Sequence, residues 1–104
     1  MKILFDHCVP RPLRRHPPGH AVTTAKSMGW DTLENGSLLA AAELQFEVMI
    51  TSDKNLRYQQ NLTTRRIALI ILPTNSLPRS IALVPKNTAA LASIQPGGWI
   101  EIEP

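Results

Sequence analysis

At 104 residues and 43% hydrophobic content, the chain has material for one modest core, and the expectation is a single domain over residues 1–104. The apolar run after Met1 and Lys2 stops at Asp6, too short for a signal-peptide core or a membrane span, which points to a soluble, cytoplasmic protein. One cysteine, Cys8, excludes an internal disulfide or a cysteine-based zinc site within one chain, and a net charge of +3 favours polyanionic partners.

Ile3, Leu4 and Phe5, bounded by Lys2 and Asp6, read as a strand buried on both faces of a parallel sheet. Cys8 follows as a small buried residue. Pro10 and Pro12 flank Arg11, and proline suits the first turn of a helix, so a short basic helix is expected as far as His16, where Pro17, Pro18 and Gly19 stop it. His16 and His20, around that turn, are read as surface residues. Ala21 to Thr23 form a second short strand, and Gly29, Trp30 and Asp31 mark a loop.

Leu38, Leu39, Ala41, Ala42 and Leu44 predict a helix over about 36–46, with Asn35 or Ser37 as its N-cap. Val48 to Ile50 form a third strand that runs into Thr51, Ser52 and Asp53, and a short helix is expected to carry Arg57, Tyr58, Gln59 and Gln60. Residues 67–72 hold five isoleucine or leucine side chains and no charge, the pattern of a central strand. Pro73 closes it. Residues 77–83 and 88–94 are helical in pattern, with Pro85 interrupting them, and residues 99–103 alternate as an edge strand does. Strands alternating with helices imply an α/β fold, a mostly parallel sheet of about five strands with helices on both faces.

Ligands of open α/β sheets bind beyond the carboxyl ends of the strands. Asp6 ends the first strand and Asp53 the third, so both carboxylates reach that end of the sheet. Two carboxylates brought together repel unless a cation stabilises both, and Mg²⁺ or Mn²⁺ does so through hard oxygen ligands. Glu34, at the entrance to the central helix, is the natural third ligand, with Asn35 beside it as a substitute. Each aspartate is also an ordinary cap for the segment after it. Basic groups flank the same region: Arg11, Arg14, Arg15 and His16, then Lys54 and Arg57, then Arg65 and Arg66.

Several of these segments carry a resemblance. The opening Met1 to Asp6, Val9-Pro10-Arg11 and Leu13, Gly19-His20, Gly29-Trp30, Asn35-Gly36, Leu38-Leu39 and the run Thr51 to Leu56 look like the PIN-like domains of the family called DUF5615. The ordered set spans most of the chain. It implies a PIN-like three-layer fold and relation to the toxin ribonucleases of toxin-antitoxin pairs. By resemblance, Asp6 and Asp53 would be catalytic metal ligands for Mg²⁺ or Mn²⁺, with Glu34 or Asn35 standing in for the family's acid at the central helix, and Arg11, Arg14, Lys54 and Arg57 would meet the RNA backbone. Tyr58 or Trp30 would be available to stack a base, although each reads first as a core aromatic. Partners would be RNA, an antitoxin protein and a second copy in a dimer. The chain departs from the family at His7, where relatives commonly carry an acid, and after the fourth strand, where it offers Thr74 and Asn75. The incomplete acidic set leaves a second expectation, a catalytically degenerate module that binds RNA or protein. A receiver-type phosphoacceptor at Asp53 is a third, opposed by the single aspartate ending the first strand.

Overall fold

The computed structural model describes residues 2–10, 12–13, 21–33, 35–53 and 66–104, with backbone alone at Asn35. Five strands make one sheet in the order β2-β1-β3-β4-β5: β1 Lys2–Phe5, β2 Ala21–Thr24, β3 Val48–Thr51, β4 Ala68–Ile71 and β5 Trp99–Glu101. Every pairing is parallel, with Phe5 opposite both Thr24 and Ile50, and Ile70 opposite both Ile50 and Ile100. Helix α1 spans Asn35–Ala42, α2 Leu77–Ala82 and α3 Val84–Ser93.

The alternation of side chains along these strands divides the core in two. Ile3, Phe5, Val48, Ile50, Ala68 and Ile70 face one side, where Ala90 and Leu91 of α3 cover them together with Leu77, Leu83 and Val84. Leu4, Met49 and Leu69 face the other side, under Leu38, Leu39 and Ala42 of α1 and Phe46. β1, β3 and β4 are apolar throughout their interiors because they are buried on both faces, the usual state of a parallel sheet. The α/β architecture and the parallel five-stranded sheet expected from the sequence are therefore present.

Details differ from expectation where the backbone must turn. The central helix ends at Ala42 rather than Phe46, because the amides of Gln45 and Phe46 both donate to the Ala42 carbonyl, at 3.0 and 2.8 Å, and tighten the chain. That turn swings Phe46 inward against Trp30, ring edge to ring face at 6.1 Å, and leaves Leu44 82% exposed instead of buried on a helix face. The Glu47 amide then donates to the Lys2 carbonyl and sets β3 in register with β1. β4 is an interior strand, but β3 holds the middle of the sheet. Pro85 begins α3 instead of interrupting it, since a first-turn proline forfeits no hydrogen bond. β5 is an edge strand, as its alternation suggested, and Ile102 beyond it is buried. Of the basic helix expected before His16, Pro12 and Leu13 form a short 3₁₀ turn, and the remainder lies outside the described residues, as does the helix expected around Arg57.

The layer of α2 and α3 carries a built-in cost. Among the described residues, Ser80 Oγ and Asn87 Oδ1 are buried without a hydrogen-bond partner. An unpaired buried hydroxyl forfeits its hydration and gains nothing, so Ser80→Ala should raise stability by about 1 kcal/mol, read as a higher denaturation midpoint in urea. A lower midpoint would show that the hydroxyl has a stabilising role.

Candidate active site at the strand ends

The carboxyl ends of β1 and β3 are tied together one residue past the ladder, where the Asp6 amide donates to the Ile50 carbonyl at 2.9 Å. This bond fixes the backbone from which the Asp6 side chain projects. The carboxylate is 8% exposed, and both oxygens are engaged: Oδ1 accepts the His7 amide at 2.7 Å, and Oδ2 accepts the Thr51 hydroxyl at 2.8 Å. The Cys8 thiol adds a long contact to Oδ2, and of the roughly four lone-pair sites a carboxylate offers, Oδ1 keeps one for a ligand.

Thr51 is fully buried and its hydroxyl is used twice. It donates to Asp6 and accepts the Asp53 amide at 3.0 Å, so one oxygen couples the end of β3 to the end of β1. Thr51→Val keeps the shape and removes both bonds. The expected result is a loss of about 10- to 100-fold in any Asp6-dependent activity, with Thr51→Ser restoring it, as for other groups that orient a functional carboxylate. Equal rates for the valine variant and the wild type would remove Thr51 from the site.

Cys8 is half-buried beside this pair rather than enclosed in the core. Its sulfur accepts the Ser52 amide at 3.3 Å and lies 3.6 Å from Thr51 Oγ1 and 3.9 Å from Asp6 Oδ2. The thiol donates to Asp6 Oδ2 and lies within reach of Thr51 Oγ1, whose own proton is committed to the same carboxylate oxygen. Nothing in the composition of the sequence marked this position. The tripeptide after Asp6 simply turns back, the Val9 amide donating to the Asp6 carbonyl at 3.1 Å, and the turn lays Cys8 over the end of β3.

A crevice of about 740 Å³ opens beyond these strand ends, lined by Asp6 to Pro10, by Thr24 to Ser27 at the end of β2, and by Asn75 after β4. Among the described residues its walls come from the ends of β1 and β2 and from Asn75, beside the β1/β3 switch point at which ligands of doubly wound sheets usually bind. His7 is exposed there, and Lys26 and Ser27 stand on the opposite wall.

The expected site residues thus divide. Asp6 lies in the crevice. Asp53 is half-buried two residues past the end of β3, with its amide on Thr51, and is not among the residues lining the crevice. Glu34, Arg11, Arg14, Lys54, Arg57 and Tyr58 lie outside the described residues. Trp30 is half-buried on the α1 face against Phe46, which assigns it to the core rather than to base stacking. Thr74 Oγ1 accepts the Ser76 amide at 3.0 Å and shapes the turn that brings Asn75 to the rim. Sequence reasoning missed Lys26, Thr51 and Cys8 as site residues. The short polar run Thr23-Thr24-Ala25-Lys26-Ser27 after a strand was the available signal for Lys26.

The donor set can be tested against a hard cation on these observations. Asp6 fits: it is an oxygen donor, held rigidly, with a lone pair to spare. Among the described residues, however, no group of three or more His, Cys, Asp or Glu side chains is gathered so as to hold a metal ion. Further ligands would fall on Asp53 and on Glu34. Comparison with protein-family models, curated proteins and solved structures finds no match to this chain. Among the described residues no helix is long and apolar enough to cross a membrane.

Proposed function

We propose that the protein is a Mg²⁺- or Mn²⁺-dependent endoribonuclease of PIN type, the toxin component of a toxin-antitoxin pair, hydrolysing RNA phosphodiesters in the Asp6 crevice. The observation that carries this reading is the Asp6 carboxylate, oriented from both sides by the His7 amide and the Thr51 hydroxyl at the floor of a strand-end crevice. The ordered resemblance to DUF5615 supplies the reaction class and the toxin role. Asp6, Asp53 and Glu34 are the residues that would hold the cation. When bound, it supplies a lowered water pKa and neutralises charge developing on the phosphate.

The chain's own residues do the rest. Thr51 keeps Asp6 from rotating, so that its carboxylate would present oxygens of fixed direction to the cation. Asn75 offers amide donors at the rim, and the basic residues Arg11, Arg14, Lys54 and Arg57 position the backbone of RNA without reading its sequence. Such an enzyme acts in the cytoplasm, with an antitoxin protein and a second copy of the chain as partners.

Incubation of the purified protein with single-stranded RNA and Mn²⁺ or Mg²⁺ tests the proposal. Cleavage that chelation abolishes and added metal restores is the expected result, and intact RNA at millimolar metal would refute it. The lack of a three-residue donor group among the described residues favours a second reading, a PIN-like module that binds RNA or a protein without cutting. Calorimetry separates the two, since that module takes up no Mn²⁺ at millimolar concentration yet binds RNA in a salt-sensitive way.

A further inference from the structure

We propose that Lys26 is a phosphate-binding residue of the Asp6 crevice, and that single-stranded RNA therefore enters across the ends of β1 and β2. This inference rests on the crevice being a nucleic-acid site. Among the described residues, four titratable side chains line it, Asp6, His7, Cys8 and Lys26, and of these only Lys26 brings a full positive charge. Asp6 sits at the floor, 8% exposed, whereas Lys26 is exposed on the opposite wall. An anionic ligand is thus repelled from the floor and attracted to the β2 wall.

The wall is built to hold that charge in place. The Ser27 amide donates to Thr24 Oγ1 at 3.2 Å, and the Ser27 hydroxyl donates to the Thr24 carbonyl at 2.9 Å. The Met28 amide reaches both the Thr24 and Ala25 carbonyls, and the Trp30 amide reaches the Ala25 carbonyl at 3.0 Å. Gly29 closes the turn at φ +78°, a left-handed conformation that glycine adopts without steric cost. Lys26 itself contributes a carbonyl to this turn, accepting the Gly29 amide at 3.0 Å, so its backbone is fixed while its ammonium is free to swing over the opening.

Charge alone would suit any anion. The rest of the lining narrows the choice, because Val9 and Pro10 add apolar surface next to the carboxylate, and Asn75 and Ser27 add neutral hydrogen-bonding groups. A sugar-phosphate chain presents this mixture, anionic at each phosphate and with apolar and hydroxyl faces between. The open crevice admits an unpaired strand, which can wrap a concave wall as a stiff duplex cannot.

Fluorescence anisotropy with a labelled single-stranded RNA in chelator, where no metal-dependent cutting occurs, reads binding separately from cleavage. Lys26→Ala is expected to weaken binding several-fold near 0.1 M salt and to reduce the slope of log K against log salt by about 0.7, the loss of one phosphate contact on a single strand. Lys26→Arg should restore both. Lys86→Ala is the control, since Lys86 lies outside the crevice and donates to the Glu103 and Pro104 carbonyls beyond β5, and it should leave the slope unchanged. Equal slopes for Lys26→Ala and Lys86→Ala would overturn the inference, and so would tighter binding of duplex DNA than of single-stranded RNA. Reduced binding by Lys26→Ala in a protein that never cleaves RNA supports the inference and refutes the nuclease reading alone. Metal-dependent cleavage by a Lys26→Ala variant that binds as the wild type does refutes the inference alone.

Discussion

Replacing Asp6 with asparagine is expected to lower metal-dependent RNA cleavage by roughly 10²- to 10³-fold, the usual cost of removing one preorganised electrostatic group from a site. The substitution is nearly isosteric, and its hydrogen-bonding can be worked out from the local geometry. The amide oxygen can accept the His7 amide as Oδ1 does now, leaving the NH₂ toward Thr51 Oγ1, which is able to accept as well as donate. The fold should therefore survive, and calorimetry with Mn²⁺ should show weaker uptake beside an unchanged circular dichroism spectrum. A variant that cleaves at the wild-type rate would place the chemistry elsewhere. The double variant with Asp53→Asn tests the pair, and cleavage surviving both changes would rule out these two aspartates as the site.

The largest effect on stability is expected at Phe5. Its ring is fully buried in β1 between neighbours on β2 and β3, and it packs in the cluster under α2 and α3. Phe5→Ala removes that ring and leaves a cavity, at a cost of about 3–5 kcal/mol. Domains of this kind are stable by only about 5–15 kcal/mol, so the variant should lose much of its urea midpoint or fail to fold. Phe5→Leu, which keeps most of the volume, should cost far less. A midpoint for Phe5→Ala within error of the wild type would mean that the core relaxes to fill the space.

The sheet was legible in the sequence because buried parallel strands have a simple signature. Three or more apolar residues ended by Asp6, by Thr51-Ser52-Asp53 or by Pro73 mark β1, β3 and β4 well, since continuous burial on both faces favours apolar side chains and admits the buried Thr51 at the last position of β3, where its hydroxyl is hydrogen-bonded. The helix ends were less legible. Leu44 continues the apolar periodicity of α1, but the chain had to turn at Ala42 to bring Phe46 under the sheet, a tertiary demand that no local pattern announces.

The site divides in the same way. Asp6 could be read because a charge that terminates an apolar interior strand has few places to be except the carboxyl end of the sheet. Its partners could not, because Thr51 and Cys8 meet it through register and a tight turn rather than through spacing along the chain. Asp53 was found by the same rule as Asp6, yet it lies two residues beyond its strand, where its amide joins Thr51. Lys26 escaped notice because a single lysine in a polar turn acquires meaning only from the wall on which it stands.

The bond between Thr51 and Asp6 joins residues 45 positions apart, and β1 lies between β2 and β3 in the sheet. A growing chain can thus pair β1 with β2 early, but β1 keeps one open edge, and its aspartate stays unrestrained, until β3 has been synthesised. With no hairpin anywhere in the sheet, each pairing waits on closure of a long loop, the circumstance that slows folding and exposes strand edges. The carboxylate on which the proposed chemistry depends is therefore completed only once the middle strand docks, so a nascent fragment ending before residue 51 should lack the activity even if its first two strands are already paired.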